Sequence, residues 1–451
     1  MDRGTDTSRD VVIIDGLRTP FAKSGTKLKT IHPAELGSVA LKELFARTNL
    51  DTKLIDEVII GNTGNPVDAV NIGRVVALRA GVPQQTSAYT VHRNCASALE
   101  SITSGYEKIK SGTMDVVVAG GTESMSQMPT LLPPKIQSLF EKLFAAKGPS
   151  QALPLLWKLF KADVSQIKAM FQGNMRDEYF PVISVMKGLT DPFVGINMGQ
   201  TAEIIAKEWG VTREQQDLFA LKSHQLATKA KAEGKMKEEI IPFYISPEYK
   251  EVLTEDIGPR AEQTIEALKK LKPFFDKKTG TITAGNSCPI TDGAAMLLMM
   301  SRKKAEQLGY KPLARIRSYA FAGLEPERMG LGPAYSTPIA LKRAGLTLKD
   351  IDLCELNEAF AAQVMACQRA LDSDQFARDK LGISSKIGEL SFDKINVNGG
   401  AIAYGHPVGA TGTRLVVTLM KEMRRQQKQF GLATLCIGGG QGGSLILELE
   451  K

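Results

Sequence analysis

The sequence predicts an α/β fold with mainly parallel sheets, assembled from two similar halves. Three observations lead there: strand-like apolar runs alternate with helical segments, the order of elements recurs, and each half carries a glycine-ended strand. The strand-like runs are VVIID (11–15), EVIIG (57–61), DVVVAGG (115–121), AAMLLMMS (294–301), LATLCIGGG (432–440) and SLILELE (444–450). PAELGSVALKELFART (33–48), REQQDLFALKSHQLATKAKAEG (213–234) and TRLVVTLMKEMRRQQKQ (413–429) carry apolar residues at helical spacing. In the first half LIDEVIIG (54–61) precedes Cys95, a helix and the strand DVVVAGG. In the second, DIDLCELNEAF (350–360) precedes GHPVGATG (405–412), a helix and the strand LATLCIGGG. Each half thus sets a chemically capable residue, Cys95 or His406, just ahead of a helix. Packing the halves together would bring both helix starts toward one centre.

Composition narrows the classes. With 451 residues the chain has room for two or three domains. Its 43% hydrophobic and 24% charged content is that of a globular protein, and no apolar run reaches the ~20 residues of a membrane span. Five Cys at spacings that fit neither disulfide pairs nor metal sites point to a reducing compartment. MDRGTDTSRD (1–10) has neither a signal peptide's apolar core nor a transit peptide's arginine bias, so a cytoplasmic location is expected. The net charge of +8 fits solubility, and no nucleic-acid partner is expected. Between the halves, residues 125–290 form a different region. It opens with SLFEKLFAAKGPSQALPLLWKLFKADVSQIKAMF (138–171), broken at Gly148–Pro149 and at Pro154 as in a helical hairpin. Two readings stand open: a covering subdomain, or a basic amphipathic surface for anionic lipid or a partner subunit.

Four short stretches can carry chemistry. In VHRNCASALES (91–101), Cys95 sits where a strand ends and a helix begins. A thiol there faces free backbone N–H groups, which lower its pKa; a small packed residue is the plainer reading. Of the four His, His32 and His224 read as surface or packing residues, and His92 is a conceivable local partner of Cys95. His406, among the glycines of NVNGGAIAYGHPVGATG (396–412), can act as base or oxyanion donor, or only cap a helix. CIGGGQGG (436–443) lacks the Lys-Ser/Thr of a P-loop and leads into a strand, so it is not a nucleotide site. It leaves Cys436 ahead of backbone N–H groups that can line an oxyanion hole. Asn357 opens the apolar helix of ELNEAFAAQ (355–363), where capping is the plain reading. Cys354 and Cys367 read as core, and no cluster has metal-ligand spacing.

Together NCAS, NEAF, GHP and CIGGG, in that order, resemble the thiolase family. LRTPF (17–21), AGGTESMS (119–126), GLTDPF (188–193) and TAGNSCPITDGA (283–294) are similar as well. The resemblance implies a five-layered αβαβα core with an inserted loop domain. The halves would be 1–124, completed by 291–309, and 310–451, with 125–290 as the loop domain. It implies thiolysis of a 3-ketoacyl-CoA, with CoA and acyl-CoA as substrates and no permanently bound cofactor. Cys95 would be the nucleophile, and His406 would activate it and hold the thioester oxygen. Asn357 would hold a water in the first oxyanion hole. Cys436 would move the proton to and from acetyl-CoA and CoA. The N–H groups of Cys95 and Gly438 would form the second hole. Leu189, Met198, Arg260, Phe275, Ala284, Cys288, Ala359 and Phe360 would line the CoA path, with Cys288 departing from the family's serine.

The long insert and ALDSDQFARD (370–379) resemble β-subunits of fatty-acid oxidation trifunctional complexes. That likeness implies a hydratase–dehydrogenase α-subunit and peripheral membrane contact through 138–171, while the thiolase resemblance implies a homodimer or tetramer. Asn357 counts the other way, since several such subunits carry His there. Two alternatives are a biosynthetic acetoacetyl-CoA thiolase and an inactive lipid- or partner-binding scaffold.

Overall fold

The computed structural model describes residues 7–159 and 181–450. Its contacts separate two compact units: residues 1–127 with 191–451, and residues 128–190. The larger unit is built on a ten-stranded sheet. Its strands are β1 (Val11–Arg18), β2 (Ala22–Lys23), β3 (Glu57–Gly61), β4 (Ser87–Val91) and β5 (Val116–Ser124), then β6 (Thr291–Ser301), β7 (Ala314–Gly323), β8 (Leu353–Leu356), β9 (Phe430–Ile437) and β10 (Gln441–Leu449). The spatial order is β8-β9-β10-β7-β1-β6-β5-β3-β4, with β2 beside β6. Strands β1 and β7 meet through only two residue pairs, Val12↔Arg315 and Ile13↔Ala314, so the sheet is two sheets joined at a narrow seam.

The main helices are α1 (Pro33–Thr48), α2 (Ile72–Arg79), α3 (Ser97–Lys110), α4 (Met198–Glu208), α5 (Arg213–Ala232), α6 (Gly332–Ala344), α7 (Ala361–Leu371) and α8 (Thr411–Gln426). Side-chain alternation along the strands shows how they are layered. In β6, Met296, Leu298 and Met300 pack with Leu41 and Leu44 of α1 and Val76 of α2. Leu297 and Met299, on the opposite face, pack with Ile102 of α3 and Val416 and Met420 of α8. Leu435 of β9 and Leu445 of β10 face that same inner layer, whereas Leu432 and Ile446 face α6 and α7. The order is therefore helices, sheet, α3 with α8, sheet, helices. Strands buried on both faces read as continuous apolar runs, which is why AAMLLMMS was visible in the sequence.

The strand sense differs from the expectation. β3 runs parallel to β4 and β5, and β8 parallel to β9. The pairs β1–β6, β6–β5, β7–β10, β9–β10 and β1–β7 are antiparallel. Crossover helices impose parallel pairing only inside the βα portions of each half. Gly438–Gly440 joins β9 to β10 as a hairpin, and Gly439 (φ 89°) and Gly440 (φ 76°) both lie in the left-handed region. A hairpin makes antiparallel neighbours.

The two inner helices start side by side. A Cβ on Gly412 would come 2.3 Å from Leu99 N, and Thr413 Oγ1 donates to Ala98 O at 3.3 Å. Glycine at 412 is what lets these helix starts approach, and the segments just before them carry Cys95 and His406. In the smaller unit, helix Pro134–Phe144 and a helical stretch over 149–159 flank the predicted break at Gly148–Pro149. Pro154 does not break that stretch. The predicted segment from 160 to 171 lies outside the described residues. Phe144, Leu153 and Trp157 are exposed there, Phe144 at 86%. No helix among the described residues is long and apolar enough to cross a membrane.

Candidate active site

Cys95 follows Asn94, which sits at φ 44°, and precedes Ala96, which starts α3 without a side-chain cap. Asn94 Nδ2 donates to Gly438 O at 2.8 Å, fastening the cysteine turn to the β9–β10 hairpin. The Cys95 thiol lies against the N–H groups of Gly438 and of Cys95 itself, which pull its pKa down. Burial outweighs them and pushes it above the ordinary value. Sequence reasoning expected the helix start to win; taking the thiol out of water reverses the sign.

Cys436, near the end of β9, is buried, and its thiol is pushed well up by burial first and then by Cys95, Cys367 and Cys288. Cys288 is raised to about 12, by burial and then by Cys95. Its backbone N–H donates to Ala359 O at 3.1 Å. Ala359, Phe360 and Cys436 share one buried apolar cluster, with Met198, Phe275 and Cys288 packed against it. Phe275 and Phe360 meet edge to face at 6.0 Å. The Phe275 ring covers Gly199, where a Cβ would come within 2.3 Å of it. Met198 Sδ lies 3.4 Å from where a Cβ on Gly438 would stand. The nucleophile candidate, its hairpin, the second thiol and five of the eight CoA candidates are thus assembled. Ala284 is exposed on the loop that leads to Cys288. Arg260 stands farther along at His224, to whose Nδ1 its backbone N–H donates at 3.3 Å. Burial and the Arg260 charge lower His224 to about 4. Leu189 ends the short helix Ser184–Gly188 of the smaller unit.

His406 is buried beside the segment that runs from Cys288 into β6, pairing with Ile290 as an isolated parallel bridge. Its backbone N–H donates to Thr291 Oγ1 at 3.2 Å. The ring is fixed by Nδ1 at 2.6 Å from Thr411 Oγ1, and the buried Nε2 has no hydrogen-bond partner. Burial, then the charge of Arg414, lowers His406 to about 3, so the ring is neutral across the working range. Asn357 shows the same pattern. Its backbone N–H donates to Thr434 O at 3.0 Å, while both buried side-chain amide atoms lack partners. Buried polar atoms left unpaired are costly and cluster where a ligand completes them. The capping reading of Asn357 fails, because α7 begins at Ala361 with Phe360 as its N-cap.

Several supporting residues escaped the sequence reading. Asn396, at φ 47°, bonds Leu356 in both directions, at 2.9 and 2.8 Å, and so clamps the end of β8. Glu358 accepts from Ser223 at 2.7 Å, Asn396 at 2.8 Å and Ile402 N at 3.1 Å, fixing the loop behind Asn357. Asn in NVNGG and Glu in NEAF were visible, but nothing local says that they meet. His92 pairs with Asn94 Oδ1 at 3.1 Å instead of serving Cys95. Among the described residues no group of three or more His, Cys, Asp or Glu side chains is placed to hold a metal ion.

A duplicated five-layered core with a thiol and an imidazole at adjoining helix starts defines a class, and family comparison agrees. The thiolase N-terminal domain model matches residues 11–303 and the C-terminal domain model residues 310–449; the chain belongs to the thiolase family. A 3-ketoacyl-CoA thiolase of Yersinia pestis is 41% identical over 441 residues, covering 98% of this chain and 97% of its own. The acetyl-CoA acetyltransferase of Bacillus anthracis superposes with a TM-score of 0.83 at 36% identity, covering 98% of this chain and 99% of its own. Human mitochondrial 3-ketoacyl-CoA thiolase in complex with CoA gives 0.82 at 34% identity, covering 99% of each chain.

Proposed function

We propose that this chain is a degradative 3-ketoacyl-CoA thiolase, an acyltransferase that cleaves 3-ketoacyl-CoA with CoA into acetyl-CoA and a shortened acyl-CoA. The observation that carries the reading is the pair of unpartnered buried groups, His406 Nε2 and the Asn357 amide, in a chain whose Cys95, Cys288 and Cys436 thiols lie together. His406 Nε2 takes the Cys95 proton as the sulfur attacks the 3-keto carbon. The C2–C3 bond breaks, leaving the acyl group on Cys95 and an acetyl-CoA enolate. The new Nε2–H, and Asn357 through a water, hold the enolate oxygen while Cys436 donates its proton to C2. The Cys436 thiolate then takes the proton of incoming CoA. CoA sulfur attacks the acyl thioester, the oxyanion rests on the N–H groups of Cys95 and Gly438, and Cys95 recovers its proton from His406. Two oxyanion sites match the two oxygens on which charge develops. High thiol pKa values suit Cys436, because a proton donor to a carbanion must hold its proton until the carbanion forms.

In this reading 125–290 is a loop domain for CoA between the halves 1–124 (with 291–309) and 310–451. Met198, Arg260, Phe275, Ala284, Cys288, Ala359 and Phe360 line the CoA path. The test is steady-state thiolysis across acyl chain lengths. Turnover of medium and long 3-ketoacyl-CoA supports the degradative reading; turnover of acetoacetyl-CoA alone replaces it with the biosynthetic one, which the likeness to an acetyl-CoA acetyltransferase favours.

The cytoplasmic location, homo-oligomer, α-subunit partner and membrane contact belong to the same proposal. Exposed Phe144 and Trp157 beside basic residues support the last of these. Phe144→Glu with Trp157→Glu is expected to lower sedimentation with anionic vesicles several-fold and to leave acetoacetyl-CoA cleavage unchanged. Equal losses in both assays would mean that the segment is structural.

A further inference from the structure

Glu123, the last residue but one of β5, is fully buried, and each hydrogen bond to its carboxylate comes from a donor. Asn62 Nδ2 and Gly64 N–H each donate to Oε1 at 3.0 Å. Thr63 N–H donates to Oε2 at 3.0 Å, and the Thr63 hydroxyl donates to the same oxygen. Gly409 N–H donates to Oε2 at 2.9 Å. Four of the five donors are N–H groups that cannot accept, an arrangement that suits an ionised carboxylate; burial pushes the Glu123 pKa above the ordinary carboxyl value and these bonds pull against it. Burying a charge that no cation neutralises is expensive, and proteins bear that cost where geometry has to be held.

The five donors divide between the halves of the fold. Asn62, Thr63 and Gly64 follow β3, whereas Gly409 belongs to the loop that carries His406. That loop is seated with unusual closeness. A Cβ on Gly409 would come 2.6 Å from Glu123 Oε2, and one on Gly121 would come 1.9 Å from Gly409 O. From Gly409 the connection to the imidazole is short. Pro407 O accepts from Ala410 N at 2.8 Å and Thr411 N at 3.0 Å, closing a turn, and Thr411 Oγ1 holds His406 Nδ1.

We propose that Glu123 is a positioning residue for His406, reaching from the first half of the fold to fix the loop that aims Nε2 toward Cys95. The proposal rests on the reading of His406 as the group that takes the Cys95 proton. It assigns Glu123 no contact with substrate. Its effect passes through the placement of Gly409–Thr411 and therefore through His406 alone.

Glu123→Gln keeps the shape but turns an amide N–H₂ toward donors. The readouts are thiolysis and the rate at which iodoacetamide alkylates Cys95, which needs no substrate. Misplacing a catalytic group by about 1 Å costs about 10²-fold, so kcat should fall by about that factor while KM stays within about threefold. Alkylation should slow in parallel. In a His406→Ala background, Glu123→Gln should slow alkylation no further, because the group it positions is gone. Thr63→Val removes a single donor and should give the same pattern at smaller size, which keeps the test informative if Glu123→Gln folds poorly. An unchanged alkylation rate in Glu123→Gln overturns the proposal. So does an equal further loss in the His406→Ala background, which would make Glu123 a general structural support. Failure of the wild type to cleave any 3-ketoacyl-CoA would instead sink the functional reading while leaving the alkylation comparison intact.

Discussion

Cys95→Ala is expected to lower thiolysis on the order of 10⁴–10⁶-fold and to abolish the acyl adduct seen by mass spectrometry after incubation with an acyl-CoA. The covalent route disappears with the sulfur, and only binding and the oxyanion donors remain. If the wild type forms no adduct on Cys95, the chain is a scaffold on a thiolase core. The state of the resting pair sharpens the expectation. Burial raises the Cys95 thiol, and burial with the Arg414 charge lowers His406 to about 3. Both shifts favour the neutral pair over a thiolate–imidazolium pair, unlike cysteine enzymes that store the ion pair at rest. Alkylation of the free protein by iodoacetamide should therefore climb with pH above the ordinary thiol range. A rate already at its plateau near pH 5 would show that the ion pair is preformed.

This outcome marks where sequence reasoning reached and where it stopped. The strand AAMLLMMS and the helix PAELGSVALKELFART were legible because burial on both faces, or on one stripe, leaves a pattern in neighbouring residues. The motif around Cys95 was legible as chemistry only in company with His406 and Cys436, which stand far from it in sequence. Strand sense was not legible, since it depends on whether a connection crosses over or turns back. The Cys95 pKa was not legible either: the helix start is local, but the burial that outweighs it is a property of the assembled fold. Glu123 and Asn396 stood in recognised stretches, yet their work lies in bonds to Gly409 and Leu356 that no spacing announces.

Arg18→Met is expected to be the most damaging single substitution for stability, costing about 3–5 kcal/mol as read from the midpoint of urea unfolding. Arg18 closes β1 with a guanidinium that has no exposure. Nε donates to Glu239 Oε1 at 2.7 Å, and Nη1 and Nη2 donate to Asp256 at 2.6 and 2.8 Å in a fork. Its Cζ lies 4.8 Å from the Phe21 ring centroid and 5.8 Å from that of Tyr404. Methionine fills much of the volume but leaves two buried carboxylates facing each other without a cation. Asp256 keeps only Phe21 N–H at 2.8 Å, and Glu239 keeps Thr418 Oγ1 at 3.2 Å. Arg18→Met/Glu239→Leu should recover part of the loss by removing one orphaned charge. The damage should also reach function, because Asp256 anchors the loop that leads to Arg260. At temperatures where the variant stays folded, KM for CoA should rise more than kcat falls; a fall confined to kcat would break the link between this buried fork and the CoA path.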